Sequence, residues 1–303
     1  MAGAFTHMAI VAEAKARLSP STEFGNIFRR KLKFVTMGSV SPDIPYLSHL
    51  ELLGVNWADI MHYHSTNGIV HNGLHTLRVT KDSGEYWIEK LAWLAGFVSH
   101  LVADATIHPI VEAIVGPCTD PKTMGNHTEC EMTQDVLVFE TRNQELRSAE
   151  YTDHLLACKR DAAFSAVLEF WAEHAKVNCP SAGTPGTKGM FDRYFLQMDA
   201  AEGGYALAAA FRHIGITYAY KSAADLRKDK TKLNRYFEKV KLPNGGTGAF
   251  MTEGFARAVQ NTVDIWNKMD RYLFSTDNVA EIVPNWNLDT GIDQDTNKRT
   301  YWG

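Results

Sequence analysis

The sequence of 303 residues predicts an all-α fold, and three observations carry that prediction. Apolar residues recur at helical spacing along most of the chain, and no succession of strand and helix patterns suggests a parallel sheet. The stretch from Glu85 to Ile107 is apolar nearly all round, as a helix enclosed in a bundle is. The composition, 45% hydrophobic and 22% charged, supplies enough apolar material for a sizeable core. We read one α-helical domain over residues 1–303, with chemistry-bearing side chains gathered in 1–140 and covering helices and loops in 141–303.

The elements follow in order. A first helix runs from about Thr6 to Ala16, and Ser19-Pro20 ends it, because proline disfavours helical backbone at the residue before it. Gly38-Ser-Val-Ser-Pro-Asp43-Ile-Pro45 reads as a loop in which two prolines bracket Asp43 and hold its carboxylate in a fixed direction; the plainer alternative is an ordinary turn aspartate. Trp57-Ala-Asp-Ile-Met-His62-Tyr-His64 brings in two histidines, and His71 and His75 follow as supporting or surface groups. The apolar helix from Glu85 to Ile107 comes next, with Pro109 placed to end or kink it. Asn126 is a candidate cap with Glu129 three positions on, which places His127 and Glu131 in the first two turns of another helix.

Helical patterns then recur at Leu155 to Val177, Ala200 to Arg227 and Phe250 to Phe274, separated by Pro/Gly-rich loops after Cys179 and from Pro243. Phe170, Trp171, Tyr205, Phe211, Tyr218, Phe255 and Trp266 on these segments read mainly as core residues. The basic run from Arg227 to Arg235 reads as a solvated face, and the chain from Asp277 onward as surface wrapping without regular structure.

Composition also excludes. A net charge of −4 argues against general nucleic-acid affinity by bulk charge. The uncharged run from Leu91 to Ala103 is too short to cross a bilayer, so no transmembrane segment is expected. The opening MAGAFTHMAIVAEAKARLSP has neither a basic leader nor a long apolar stretch, so cytoplasmic residence is the expectation, with export by a non-classical route as the alternative. Cys118, Cys130, Cys158 and Cys179 form no C-x-x-C pair and read as free thiols, a Cys118–Cys130 bridge requiring an oxidising compartment.

The chemistry concentrates in His100, Asp104 and His108, which stand four residues apart and so rise along one face of the apolar helix. A lone histidine on such a helix is ordinarily a core residue with a satisfied hydrogen bond. Asp104 resists that reading, because Phe97, Val98, Leu101, Val102 and Ile107 surround it and a buried carboxylate is costly unless paired or coordinated. His127 and Glu131 repeat the four-residue spacing, and the mixture of imidazoles and carboxylates suits zinc.

In order and type, His7, Asp43, His62, His100-x-x-x-Asp104, His108 and His127-x-x-x-Glu131 resemble the ligand series of the zinc-dependent phospholipase C and single-strand nuclease superfamily. The resemblance covers roughly the first 140 residues. It implies an all-α multi-helix bundle, with additional C-terminal helices here, and three zinc ions. It also implies that Asp43, His62, His100 and Asp104 surround one zinc, that His108, His127 and Glu131 hold a second, and that Asp104 bridges to a third. That third ion takes an early histidine, His7, and the amine and carbonyl of the mature first residue. Ala2 fills the last role if the initiator methionine is removed, since Ala2-Gly-Ala-Phe-Thr-His7 resembles the opening of the fungal nucleases. His64 is the alternative to His62, which is preferred because its segment resembles bacterial phospholipase relatives.

The resemblance further implies hydrolysis of a phosphodiester by a zinc-activated water, with Asp43 able to accept a proton. Ser-Pro-Asp-Ile-Pro and Val-Ala-Asp-Ala-Thr-Ile-His-Pro resemble the phospholipase branch more closely, which implies a glycerophospholipid or other phosphoester substrate and peripheral contact with a membrane. Two alternatives stand beside it: a single-strand nuclease or nucleotidase of the same superfamily, which needs an aromatic stacking pocket, and a zinc-binding module with lost or altered chemistry. No G-x-S-x-G, H-E-x-x-H or P-loop signature is present.

Overall fold

A computed structural model of the protein describes residues 3–20, 22–47, 57–81, 83–117, 122–142, 148–199, 223–275 and 282–303. It is all-α, with two small antiparallel sheets. Helices α1 (Ala4–Arg17), α2 (Glu23–Val40), α3 (Ile44–Leu47), α4 (Trp57–Tyr63) and α5 (Gly68–Val79) precede the central α6 (Trp87–Val115). Then come α7 (Met124–Arg142), α8 (Ser148–Lys159), α9 (Phe164–Asn178), α10 (Thr187–Asp199) and α11 (Arg257–Phe274).

Helix α6 organises the rest. From Leu91 to Val111 it is buried without interruption, and α1, α2, α5, α7, α9 and α11 pack around it. By length and composition it would pass for a membrane span, longer than the uncharged run alone suggests, but its apolar window lies wholly inside the protein. It is a core helix. Gly38 of α2 meets Gly96 of α6: a Cβ on Gly38 would stand 2.0 Å from the Trp93 carbonyl oxygen, so two backbones touch where side chains would hold them apart.

Several expectations need correction. Residues Gly38 to Pro45 are not a loop; α2 runs on to Val40, a 3-10 turn covers Ser41–Asp43, and α3 starts at Ile44. Prolines suit such first-turn positions, where the missing N–H has no helical acceptor. Pro109 does not end α6, which continues to Val115. Proline removes the donor that the Ala105 carbonyl would otherwise receive. Gly291, at φ +64°, packs over that carbonyl, and the Trp302 indole donates to the next one, Thr106 O, at 2.8 Å.

Helix α7 begins at Met124, so Asn126 lies inside it and is not its cap. The segment expected as one helix over Leu155 to Val177 is two, α8 and α9, separated where Asp161 Oδ1 accepts from Ala163 N–H at 2.9 Å. The chain from Asp277 is not wholly irregular: Trp286–Asn287, Ile292–Asp293 and Lys298–Arg299 form a three-stranded antiparallel sheet, here called the C-terminal sheet. Phe170, Trp171, Phe255 and Trp266 are core residues, whereas Tyr205, Phe211 and Tyr218, with most of Ala200 to Arg227, lie outside the described residues. Cys130, Cys158 and Cys179 are free thiols, and Cys118 lies outside the described residues.

Candidate metal centre

Five elements deliver side chains to one buried volume. His7 comes from α1, Asp43 from the 3-10 turn, His62 from α4, His100, Asp104 and His108 from α6, and His127 and Glu131 from the start of α7. All eight are buried. Each element is held by its neighbours through specific bonds. Asp135 of α7 accepts from Thr6 N–H at 2.7 Å and from Thr6 Oγ1 at 2.8 Å, which fixes the turn of α1 that carries His7. Ser41 donates to Met37 O at 2.8 Å and accepts from the Trp93 indole at 2.9 Å, which locks the Asp43 turn against α6.

Asp104 is the hub. Its Oδ1 lies 3.3 Å from His7 Nε2 and 3.3 Å from His108 Nε2. Its Oδ2 lies 3.3 Å from His100 Nε2 and 3.7 Å from His62 Nε2. Asp43 Oδ1 faces the same two imidazoles, at 3.3 Å from His62 and 3.5 Å from His100. On the other side His108 Nε2 is 3.5 Å and His127 Nε2 3.1 Å from Glu131 Oε1. The two oxygens of one carboxylate thus face two different sets of nitrogens.

These separations fit a metal better than a hydrogen-bond network. Among the described residues both ring nitrogens of His7 and of His108, His127 Nε2 and Asp43 Oδ1 are buried without a hydrogen-bond partner, which is costly in a core and unusual. For a tetrahedral ion with bonds of about 2.0–2.1 Å, adjacent donors stand about 3.3–3.4 Å apart, which is where most of these pairs lie. Sets of three donors that approach one another within 4.8 Å include His7, His100 and Asp104, and Asp43, His62 and His100.

The tautomers agree. A carbonyl oxygen only accepts, so His62 Nδ1–H donates to Ala58 O at 2.7 Å and His100 Nδ1–H donates to Ser39 O at 2.9 Å. Each bond turns the Nε2 lone pair toward the cluster, the outer-sphere arrangement of a metal-binding imidazole. Burial alone would raise both aspartate pKa values, yet the imidazoles reverse it: Asp43 is held below the usual carboxylate range by His100 and His62, and Asp104 well below it by His108 and His100. Both carboxylates are therefore ionised at neutral pH, as ligands must be.

Every expected ligand among the described residues enters this cluster, and His62 rather than His64 is the one that does. His64 is exposed and lines a cavity at the mouth of the site. Ala2 lies outside the described residues. His71 is partly buried, with Nε2 3.1 Å from Val283 O, and His75 is exposed. Sequence reasoning missed Asp289, whose Oδ1 lies 3.5 Å from His108 Nδ1. The turn composition Asn287-Leu-Asp-Thr-Gly291 was the available signal, but it gives no hint of which helix the turn meets.

A family model described as zinc dependent phospholipase C matches residues 6–179, a span that contains all eight clustered side chains. The chain belongs to the zinc-dependent phospholipase C family, which makes it a zinc-dependent hydrolase of phosphoesters. No curated protein and no solved structure matches it.

Proposed function

We propose that the protein is a phospholipase C that cleaves the phosphodiester of glycerophospholipids, releasing diacylglycerol and a phosphorylated head group. The observation that carries this choice within the family is the cavity beside the cluster, of about 330 Å³ and lined by Tyr63, His64, Glu112, Pro117, His127, Asn287, Asp289 and Thr290. Its size is that of a small-molecule site. Among the described residues no lysine or arginine lines it, and Tyr63 is the one aromatic ring of the Phe, Tyr or Trp type. A single-strand nuclease needs cations along the backbone path and stacking platforms for bases, so the lining favours a lipid head group.

In this reading Asp43, His62, His100 and Asp104 would hold one zinc, His108, His127 and Glu131 would hold a second, and His7 and Asp104 would contribute to a third. Zinc supplies Lewis-acid charge and brings the pKa of water at such a site to about 7. The chain's own part is orientation and proton handling. The Ala58 and Ser39 carbonyls keep the imidazoles of His62 and His100 in one tautomer. Asp43, which faces His62 and His100 at 3.3 and 3.5 Å, would be the proton acceptor for the attacking water. The covered position of the cluster, beneath Tyr63 and the turn at Asn287 to Thr290, limits entry of bulk water.

The test is hydrolysis of dispersed phosphatidylcholine and of single-stranded DNA by the zinc-loaded protein. Release of diacylglycerol with no DNA cleavage is expected. Cleavage of DNA with phosphatidylcholine left intact would overturn the lipid assignment and leave the phosphoesterase in place.

A further inference from the structure

The C-terminal sheet lies beyond the residues that the family model matches, yet its turn reaches the metal centre. Leu288 N–H donates to the carbonyl oxygen of His62 at 3.0 Å, and the Asp289 carboxylate faces His108 Nδ1 at 3.5 Å. Two clustered histidines on different helices are thus touched by consecutive residues of one turn. The turn itself is over-determined. Asn287 Oδ1 accepts from Asp289 N–H at 3.1 Å, from Thr290 N–H at 3.2 Å and from Thr290 Oγ1 at 3.2 Å. Gly291 N–H donates to Asn287 O at 2.9 Å. Gly291 sits so close to α6 that a Cβ there would be 2.4 Å from Ala105 O.

Other bonds fasten the sheet to α6, to the end of α4 and to the turn that follows α4. Thr66 Oγ1 donates to Trp286 O at 2.8 Å, and Gln294 Nε2 donates to Tyr63 O at 3.1 Å. Arg299 donates to Thr290 O at 3.1 Å and pairs with Glu112 of α6 at 3.2 Å. All this holds Asp289, a mostly buried carboxylate, against an imidazole whose Nδ1 has no hydrogen-bond partner.

We propose that Asp289 is a positioning residue of the metal centre, acting through His108. Unlike His62 and His100, which find backbone carbonyls, His108 has a carboxylate as the group opposite its outer nitrogen. A cation on Nε2 makes Nδ1–H a stronger donor, and the carboxylate then closes the few tenths of an ångström that separate 3.5 Å from a good hydrogen bond. The bond fixes the ring's tautomer and makes it a more basic ligand. The C-terminal sheet is therefore part of the catalytic apparatus and not only a cover. This inference rests on the zinc reading of the cluster.

The test compares wild type with Asp289→Asn, which keeps shape and removes charge, and with Asp289→Glu, which keeps charge. Zinc affinity is read by chelator competition, and the Nδ1–H resonance of His108 is read by imidazole NMR of the zinc-loaded protein. Asp289→Asn should weaken zinc binding by about 10–100-fold and move that resonance upfield, with the melting temperature of the metal-free protein unchanged. Asp289→Glu should recover part of the affinity, which a merely structural role would not predict. Wild-type affinity and an unmoved resonance in Asp289→Asn would overturn the assignment. Failure of the wild type to bind zinc would overturn the zinc reading itself, a result distinct from an unaffected variant.

Discussion

Replacing Gly96 by alanine separates the helix crossing beneath the metal centre from the ligands themselves. A Cβ at this position would stand 2.0 Å from Val35 O, 2.9 Å from Gly38 Cα and 2.9 Å from Ser39 N. All three are backbone atoms of α2, so no side-chain rotation relieves the contact, and the two helices must part by roughly an ångström. Overpacking of this kind costs about 1–3 kcal/mol, and contact with rigid backbone places this case at the upper end. Alanine's advantage over glycine inside a helix returns about 1 kcal/mol, leaving a net loss of about 2 kcal/mol. The same movement draws the Ser39 carbonyl away from His100 Nδ1, now 2.9 Å distant, and so loosens the bond that aims His100 at Asp104. Urea unfolding of the metal-free protein measures the loss, with Gly189→Ala as reference because nothing lies within 4 Å of a Cβ there. That reference should be unchanged or more stable by up to about 1 kcal/mol. Equal stability of the two variants would refute the close-crossing argument.

Asp135→Ala should cost about 3 kcal/mol in urea unfolding, because it strips the buried Thr6 N–H and hydroxyl of a charged acceptor; unchanged stability would contradict the anchoring of α1. His62→Ala should lower zinc content and His64→Ala should not, as measured by elemental analysis; the reverse outcome would exchange their roles. In the metal-free protein burial pulls the His62 and His127 pKa values down, but Asp43 and Asp104 raise the first and Glu131 the second, so both lie above 6.5. The folded state then holds protons that the unfolded chain has released, so this stabilisation is complete below pH 6.5 and is lost as the pH rises through the folded values. Zinc needs neutral rings and opposes this contribution: above pH 6.5 the stability that zinc adds should grow as the pH rises, and a zinc increment independent of pH in urea unfolding would refute this.

The helices that carry the cluster were largely legible because their signals are local. The four-residue spacings of His100, Asp104 and His108 and of His127 and Glu131 are written into single helices, and an aspartate among the apolar neighbours of Asp104 calls for a charged or metal partner. What was illegible is what depends on partners far along the chain. Pro109 reads as a helix end or kink until Gly291 and Trp302 are seen covering the carbonyls around it. The C-terminal sheet has strands of two residues, too short for any alternation, and its register is set by bonds to His62, Tyr63 and Thr66. Asp289 was missed for that reason: its own neighbourhood is an ordinary Asn/Asp/Gly turn, and its meaning lies in His108, on a different element. The continuation of α2 into the Asp43 turn was hidden by prolines that break helices in their interiors but suit their starts.

The central proposal is that Asp104, whose two carboxylate oxygens face different imidazoles, would help to hold more than one zinc ion. Elemental analysis of zinc in wild type and Asp104→Asn, with phosphatidylcholine hydrolysis measured on the same samples, tests it most directly. The account predicts more than one zinc per wild-type chain, and loss of zinc together with loss of hydrolysis in the variant. A metal-free wild type, or a variant with unaltered zinc content and activity, would contradict it.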